Sequence, residues 1–291
     1  MILLVDILLP LAVFLSMGAV GLGLTMDDFR RMASLRLGIT LGLVMPILLL
    51  PLLAVGAARG LALPPAVAGG LLVLSAAPPA AISSLYVALA GGDVALCVTL
   101  TAVSTVVSVF TMPLSLSLGF RGLSLPGASV EVPILATMGQ LVFLLVLPAG
   151  LGMAVRAWRP AFAVKNENRF KALSMVAILA PLFLAVGALW KAFVEILGTV
   201  VLSALLFSLV AAALGYALGI LAGPSPRGRF ALAMNCSTRS FGVAAAVGAA
   251  FMGRTDFLAF VAAFFLTHAV LASAAIVAYR TFGPAQPAPR R

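Results

Sequence analysis

The chain reads as an all-α polytopic membrane protein. Three observations predict this: an apolar fraction of 63% against 9% charged residues, long uninterrupted apolar runs, and basic residues gathered between those runs. Soluble domains average roughly 45–50% apolar and about 25% charged, and a mean hydropathy of +1.22 sets these 291 residues far from them. A membrane barrel would show segments of about ten residues with alternating polarity, whereas the apolar runs here are continuous. The 27 glycines and 18 prolines predict broken helices, because spanning helices tolerate both residues where neighbours satisfy the freed backbone groups.

Nine runs reach the length needed to cross a hydrocarbon core: 2–24, 37–56, 66–90, 94–118, 132–155, 172–190, 194–222, 230–252 and 257–279. They predict one transmembrane domain over 1–291, with 280–291 as a short cytoplasmic tail. The first run carries Asp6 and lacks a basic leader, so it is expected to stay in the mature protein. Cys97 and Cys236 both lie inside apolar runs, which argues against a secreted disulfide framework. The net charge of +10 does not indicate nucleic acid, because the basic residues punctuate run ends instead of forming a patch with interleaved aromatics. Most of the 18 basic residues fall in alternate loops on one side, from Arg30 and Arg31 to Arg290 and Arg291, while Arg59, Arg121, Lys191 and Arg254 fall on the other. The positive-inside rule then puts the N-terminus outside and the C-terminus in the cytoplasm of a cell inner or plasma membrane.

Arg239 fits neither side. It lies within the eighth run, on the order of 14–20 Å from either surface at 1.5 Å per residue, where an arginine costs roughly 2.5–3.5 kcal/mol to insert. The acids Asp6, Asp27, Asp28, Asp93, Glu131, Glu167, Glu195 and Asp256 all lie near run ends or in loops. The guanidinium must therefore meet backbone carbonyls, water or a bound anion gripped by two parallel hydrogen bonds. A structural arginine on the carbonyls of an interrupted helix and an anion-binding arginine both satisfy this requirement. Asn235-Cys236-Ser237-Thr238-Arg239-Ser240 is polar enough to interrupt the eighth run. In the third run Pro78-Pro79, followed by Ser83-Ser84, forces a kink or an unwound turn. Two interrupted helices in different halves of a chain point to a carrier binding site between inverted repeats.

The same two segments carry a resemblance to the bile acid:sodium symporter family, which also contains relatives of the arsenite carriers. It runs from GLGLTMDDF at 21–29, through SAAPPAAISSLYVALAGGDVALCVTLTAVSTVVSVFTMP at 75–113, to NCSTRSFGVAAAVGAAF at 235–251 and the helix with His268. The resemblance implies an inverted-repeat transporter fold of the nine-helix kind, with a panel domain and a core domain whose two unwound helices cross. It also implies positions for the sodium ligands, and these are eroded. Ser83 and Thr101 stand as expected. Ser84 replaces an asparagine, Cys97 a serine, Asn235 an acidic ligand, Arg239 a glutamine and Leu41 a second glutamine; Thr238 lies within the same set. A guanidinium about 4 Å from a cation repels it by roughly 4 kcal/mol at an effective dielectric near 20, so sodium is possible but not favoured, and no cofactor or metal is expected.

His268, near the middle of the ninth run, is a possible proton-coupling residue. Paired thiols at Cys97 and Cys236 would suit a metalloid carrier of the arsenite type, and a non-transporting sensor or scaffold is a further alternative. No triad, phosphate loop or metal-ligand spacing occurs in the sequence, so the chain is not expected to be an enzyme. The expected partners are the bilayer and a small organic anion. Arg239 is the expected principal contact to the anion, with Asn235, Ser240, Ser83 and Ser84 around it; the function they imply is alternating-access transport.

Overall fold

The computed structural model describes residues 7–25, 36–123, 132–188, 190–223 and 225–283. Among these the chain is helical throughout, with no strand beyond one isolated backbone bridge. Asp27-Asp28-Phe29, Glu131, the tail 284–291 and the side chain of Leu41 lie outside the described residues.

Helix α1 (Leu9–Gly23) is followed by α2 (Arg36–Gly60), and the third apolar run splits into α3 (Pro65–Ala76) and α4 (Ile82–Ala90). Helix α5 (Val94–Leu123) is continuous; α6 (Ile134–Leu141) passes through a π-turn at Val142–Val146 into α7 (Leu147–Trp158). Then come α8 (Pro160–Ala188), α9 (Trp190–Ala222), α10 (Pro226–Ser237), the short α11 (Phe241–Ala245) with a π-turn at Ala246–Phe251, and α12 (Phe257–Phe282). Among the described residues four helices are long and apolar enough to cross a membrane by themselves: Val94–Leu123, Ile134–Trp158, Leu197–Ala222 and Phe257–Phe282. Shorter apolar helices include Leu9–Gly23, Pro46–Gly60, Pro65–Ala76 and Phe241–Phe251. The chain is thus an all-helical integral membrane protein.

The helices differ in extent from the apolar runs: α2 continues to Gly60, α5 to Leu123, and α9 begins at Trp190. The charged segment 160–171, read from the sequence as loop, is the first part of α8. Pro160 suits the first helical position, and Glu167 pairs with Lys171 one turn on, so the helix starts well before its apolar stretch.

Two sets of helices pack among themselves. Helix α1 lies against α7 and α8; α2, α3, α5, α9, α10 and α12 form the larger set. Van der Waals fit, without a hydrophobic driving force, holds helices together in lipid, so close approach through small residues matters. A Cβ on Gly152 would come within 2.3 Å of the Gly18 carbonyl oxygen, which makes α1 and α7 touch backbone to backbone. Gly215 does the same for α9 and α10, where a Cβ would stand 2.6 Å from the Leu232 oxygen. The inner surface of the larger set is closed by Phe257, Phe260 and Phe264 of α12, each about 1% exposed.

Candidate functional site

Helix α3 stops because Pro78 and Pro79 follow it. The residue before a proline is driven out of the helical region, and Ala77 accordingly adopts φ −63°, ψ 150°. Had the helix continued, the Ser75 carbonyl would accept from the amide of residue 79, and proline has none. Helix α10 stops at Ser237; Thr238 turns out at φ −88°, ψ 87°, and Ser240 restarts the helix by accepting from the Val243 amide at 3.4 Å.

The two breaks meet. Pro79 and Arg239 form an antiparallel bridge, with the Ala80 amide donating to the Thr238 carbonyl at 2.8 Å and the Ser240 amide to the Pro78 carbonyl at 2.9 Å. The Arg239 side chain crosses in the same direction. Its Nη2 donates to the Ser75 carbonyl at 3.2 Å and to the Ala77 carbonyl. One of these acceptors is the oxygen orphaned by Pro79. The residue is 3% exposed, its Nε has no partner, and among the described residues no carboxylate pairs with it.

Beside it lies a closed polar cluster. Asn235 Nδ2 donates to Thr101 Oγ1 at 2.7 Å and approaches the Cys97 carbonyl at 3.4 Å. Thr101 Oγ1 donates to that same carbonyl at 2.9 Å, and Ser83 Oγ lies 3.3 Å from Cys97 Sγ. Within the cluster an amide N–H points at the Thr101 hydroxyl. Ser84 stands apart, its hydroxyl turned to the Ala81 carbonyl at 2.8 Å. Thr238 Oγ1 sits 2.9 Å from His268 Nε2, and His268 Nδ1 lies 3.4 Å from Ser208 Oγ, so the histidine ties the second break to α12 and α9. Cys97 and Cys236 are both buried free thiols, and no group of three or more His, Cys, Asp or Glu able to hold a metal occurs among the described residues.

Two small cavities flank the crossing. One, of about 10 Å³, is lined by Arg239 and Asn235 together with Ser104, Ser108 and Thr111 of α5 and Pro46 of α2. The other, of about 50 Å³, lies between α1 and α8 on one side and α4 and α5 on the other, and is lined by Ser84, Thr101, Gly23, Glu167 and Lys171 among others. The structure therefore gathers Ser83, Cys97, Thr101 and Asn235 into one cluster beside Arg239, sends Ser84 to the second cavity, and uses Ser240 as a helix cap. Sequence reasoning missed Ser104, Ser108 and Thr111. Their spacing of four and three residues puts them on one face of α5, which is the signal that could have found them.

Two broken apolar helices joined at their breaks and packed inside an all-helical bundle define a polytopic membrane protein with a polar centre. The particular kind is given by comparison: the Sodium Bile acid symporter family matches residues 10–213, and the chain belongs to that family. It is 31% identical to the P3 protein of Homo sapiens over 62% of this chain and 37% of that protein. It is 26% identical to the uncharacterized sodium-dependent transporter YocS of Bacillus subtilis (strain 168), over 58% of this chain and 52% of the relative. To the probable sodium/metabolite cotransporter BASS1, chloroplastic, of Arabidopsis thaliana it is 34% identical over 34% of this chain and 25% of the relative. The aligned part spans between a quarter and about half the length of these relatives.

Proposed function

We propose that the protein is a secondary carrier that moves a small organic anion, a carboxylate, by alternating access and does so without sodium. The observation that carries this reading is the Arg239 guanidinium, buried where the two broken helices meet, with no carboxylate partner among the described residues and with Nε unpaired. One edge of the guanidinium is engaged by the Ser75 and Ala77 carbonyls. Nε and Nη1 remain to donate to a carboxylate, and because both parallel N–H forks of a guanidinium include Nη2, a bidentate grip requires the carboxylate to take the place of one of these carbonyls, a geometry that arginine offers and lysine does not. Ser104 and Asn235 line the cavity beside it, and the Ser108 and Thr111 hydroxyls can donate to the anion on releasing the Thr105 and Val107 carbonyls. The cavity has room for about one water and is lined by α2, α3, α5, α10 and the two breaks, so substrate entry requires those helices to part, a movement that the alternating-access reading supposes. In this reading α1, α6–α7 and α8 are the panel, the other helices the core, and the N-terminus faces outward.

Sodium fits this centre poorly. The position where the family resemblance implies an acidic ligand is Asn235, whose N–H points at Thr101 Oγ1, and a permanent positive charge stands at Arg239, lining the same cavity as Asn235. At a separation of about 4 Å two like charges repel by roughly 4 kcal/mol at an effective dielectric near 20, and no carboxylate of the cluster offsets such a repulsion. The family's sodium coupling is therefore not carried over to this chain. The family is one of transporters, and the reading is of a carrier, not an enzyme.

Calorimetry on purified protein tests the reading with pyruvate, pantothenate and cholate, each beside its neutral amide. At least one acid binds wild type and its amide does not. Arg239→Lys weakens that binding by roughly one to two decades, since a hydrogen bond to a charged group is worth about 1.5–3 kcal/mol, and Arg239→Gln removes it. Equal binding of acids and amides, or wild-type affinity in Arg239→Gln, defeats the proposal.

A further inference from the structure

The second cavity carries a feature that the crossing does not explain. Glu167 on α8 sits at its mouth between two cations from different helices. Lys171 Nζ donates to Glu167 Oε1, and Arg156 Nη1 of α7 lies 3.7 Å from Oε2. Arg156 is itself fixed, because the same Nη1 donates to the Leu22 carbonyl at 2.9 Å, near the C-terminal end of α1. The carboxylate also rests directly on the backbone of Gly23, where an added Cβ would stand 2.7 Å from Oε1. Behind it the cavity leads to Ser84 and Thr101, and Thr101 is the residue that Asn235 holds beside the crossing.

An ordinary exposed i,i+4 pair would involve one helix, no cavity and no third charge. Here α1, α7 and α8 together build a pocket for a carboxylate group, with net charge +1 once Glu167 is counted. The side chains are 23–35% exposed, so they are not sealed inside the helix packing. The cavity of about 50 Å³ has room for only a few waters. A substrate larger than that must displace a side chain, and Glu167 is the one whose displacement the substrate's own carboxylate makes good.

We infer that Arg156 and Lys171 form a second carboxylate subsite at the mouth of the Ser84 and Thr101 cavity, with Glu167 acting as a tethered stand-in that an incoming carboxylate replaces. The inference rests on the proposed organic-anion carriage and adds a station on the path to Arg239. Exchange of one carboxylate for another keeps the two cations paired at every stage, so neither is left bare in a half-closed site. It also makes the resting pocket selective. Neutral analogues cannot displace Glu167, and chloride offers a single point of contact to a pair of cations set for two oxygens.

The test is binding of pyruvate, pantothenate and cholate to wild type, Glu167→Gln, Gly23→Ala and Lys171→Gln. Glu167→Gln removes the internal competitor, and affinity for the acid that wild type prefers rises roughly two- to fivefold, the range set by exposed ion pairs worth up to about 1 kcal/mol. Gly23→Ala changes no charge but pushes the Glu167 carboxylate off its seat, and gives a smaller rise in the same direction. Lys171→Gln gives a fall below wild type. The rise in Glu167→Gln shrinks as salt increases, because the bared cations are screened. Unchanged or weaker binding in both Glu167→Gln and Gly23→Ala, with Arg239→Gln still abolishing binding, overturns the subsite and leaves the carrier reading intact. If no acid binds wild type or any variant, the carrier reading falls and the subsite falls with it.

Discussion

The break at 77–81 and the break at 238–240 interrupt apolar helices by opposite chemistry. The first is made by two prolines, which remove amide donors and leave carbonyl oxygens without helical partners. The second keeps its amides and adds a guanidinium with five N–H groups. Donors run mainly one way across the meeting point: Arg239 Nη2 reaches the Ser75 and Ala77 carbonyls, and the Ser240 amide reaches the Pro78 carbonyl. Only the Ala80 amide returns, to Thr238. A buried charge that finds no acid is thus matched to a break with surplus acceptors, and the two interruptions are halves of one polar structure. In hydrocarbon, where water cannot fill in, each alone would leave unsatisfied groups.

The largest test of this pairing is on stability. Arg239→Gln leaves at least one of the Ser75 and Ala77 carbonyls without a donor, and a buried unsatisfied group costs about 1–3 kcal/mol, so the apparent melting temperature falls by several degrees. Pro79→Ala sharpens the comparison, because it returns an amide at the position whose absence orphans Ser75. In the double variant Pro79→Ala/Arg239→Gln the loss is partly recovered, giving a coupling energy of roughly 1 kcal/mol. Additive effects of the two substitutions would show that the breaks are independent. The smallest expected effect is at His268, which touches the second break only through Thr238. His268→Gln preserves a hydrogen-bonding partner and changes uptake less than about tenfold, consistent with a packing residue; complete loss of uptake with normal folding would instead give the histidine a direct part in transport.

Much of this was legible in the residues. The apolar runs, the proline pair and the lone deep arginine stand out because hydrophobic length, missing amides and a charge in lipid each leave a mark on side-chain type. The acceptors of Arg239 were not legible, since a backbone carbonyl has no signature in sequence. No acid in the sequence lies deep enough to be its partner, and carbonyls, water and a bound anion are equally compatible with the residues alone. The start of α8 was missed for a related reason: Lys165, Glu167, Arg169 and Lys171 look like loop charges when only apolar length is followed, although nothing in them stops a helix. With that segment helical, Glu167 and Lys171 come to face a cavity instead of an open surface. Ser104, Ser108 and Thr111 went unremarked because single hydroxyls in an apolar helix commonly bond back to their own preceding turn, as Ser108 does to Thr105 here.

The most direct measurement is uptake into proteoliposomes of the carboxylate that binds most tightly, with choline replacing sodium at equal ionic strength, for wild type and Arg239→Gln. The account predicts saturable uptake by wild type at the same rate in choline as in sodium, inhibited by the unlabelled acid and not by its amide, and absent in Arg239→Gln. A strict sodium requirement, or uptake by Arg239→Gln equal to that of wild type, would contradict it.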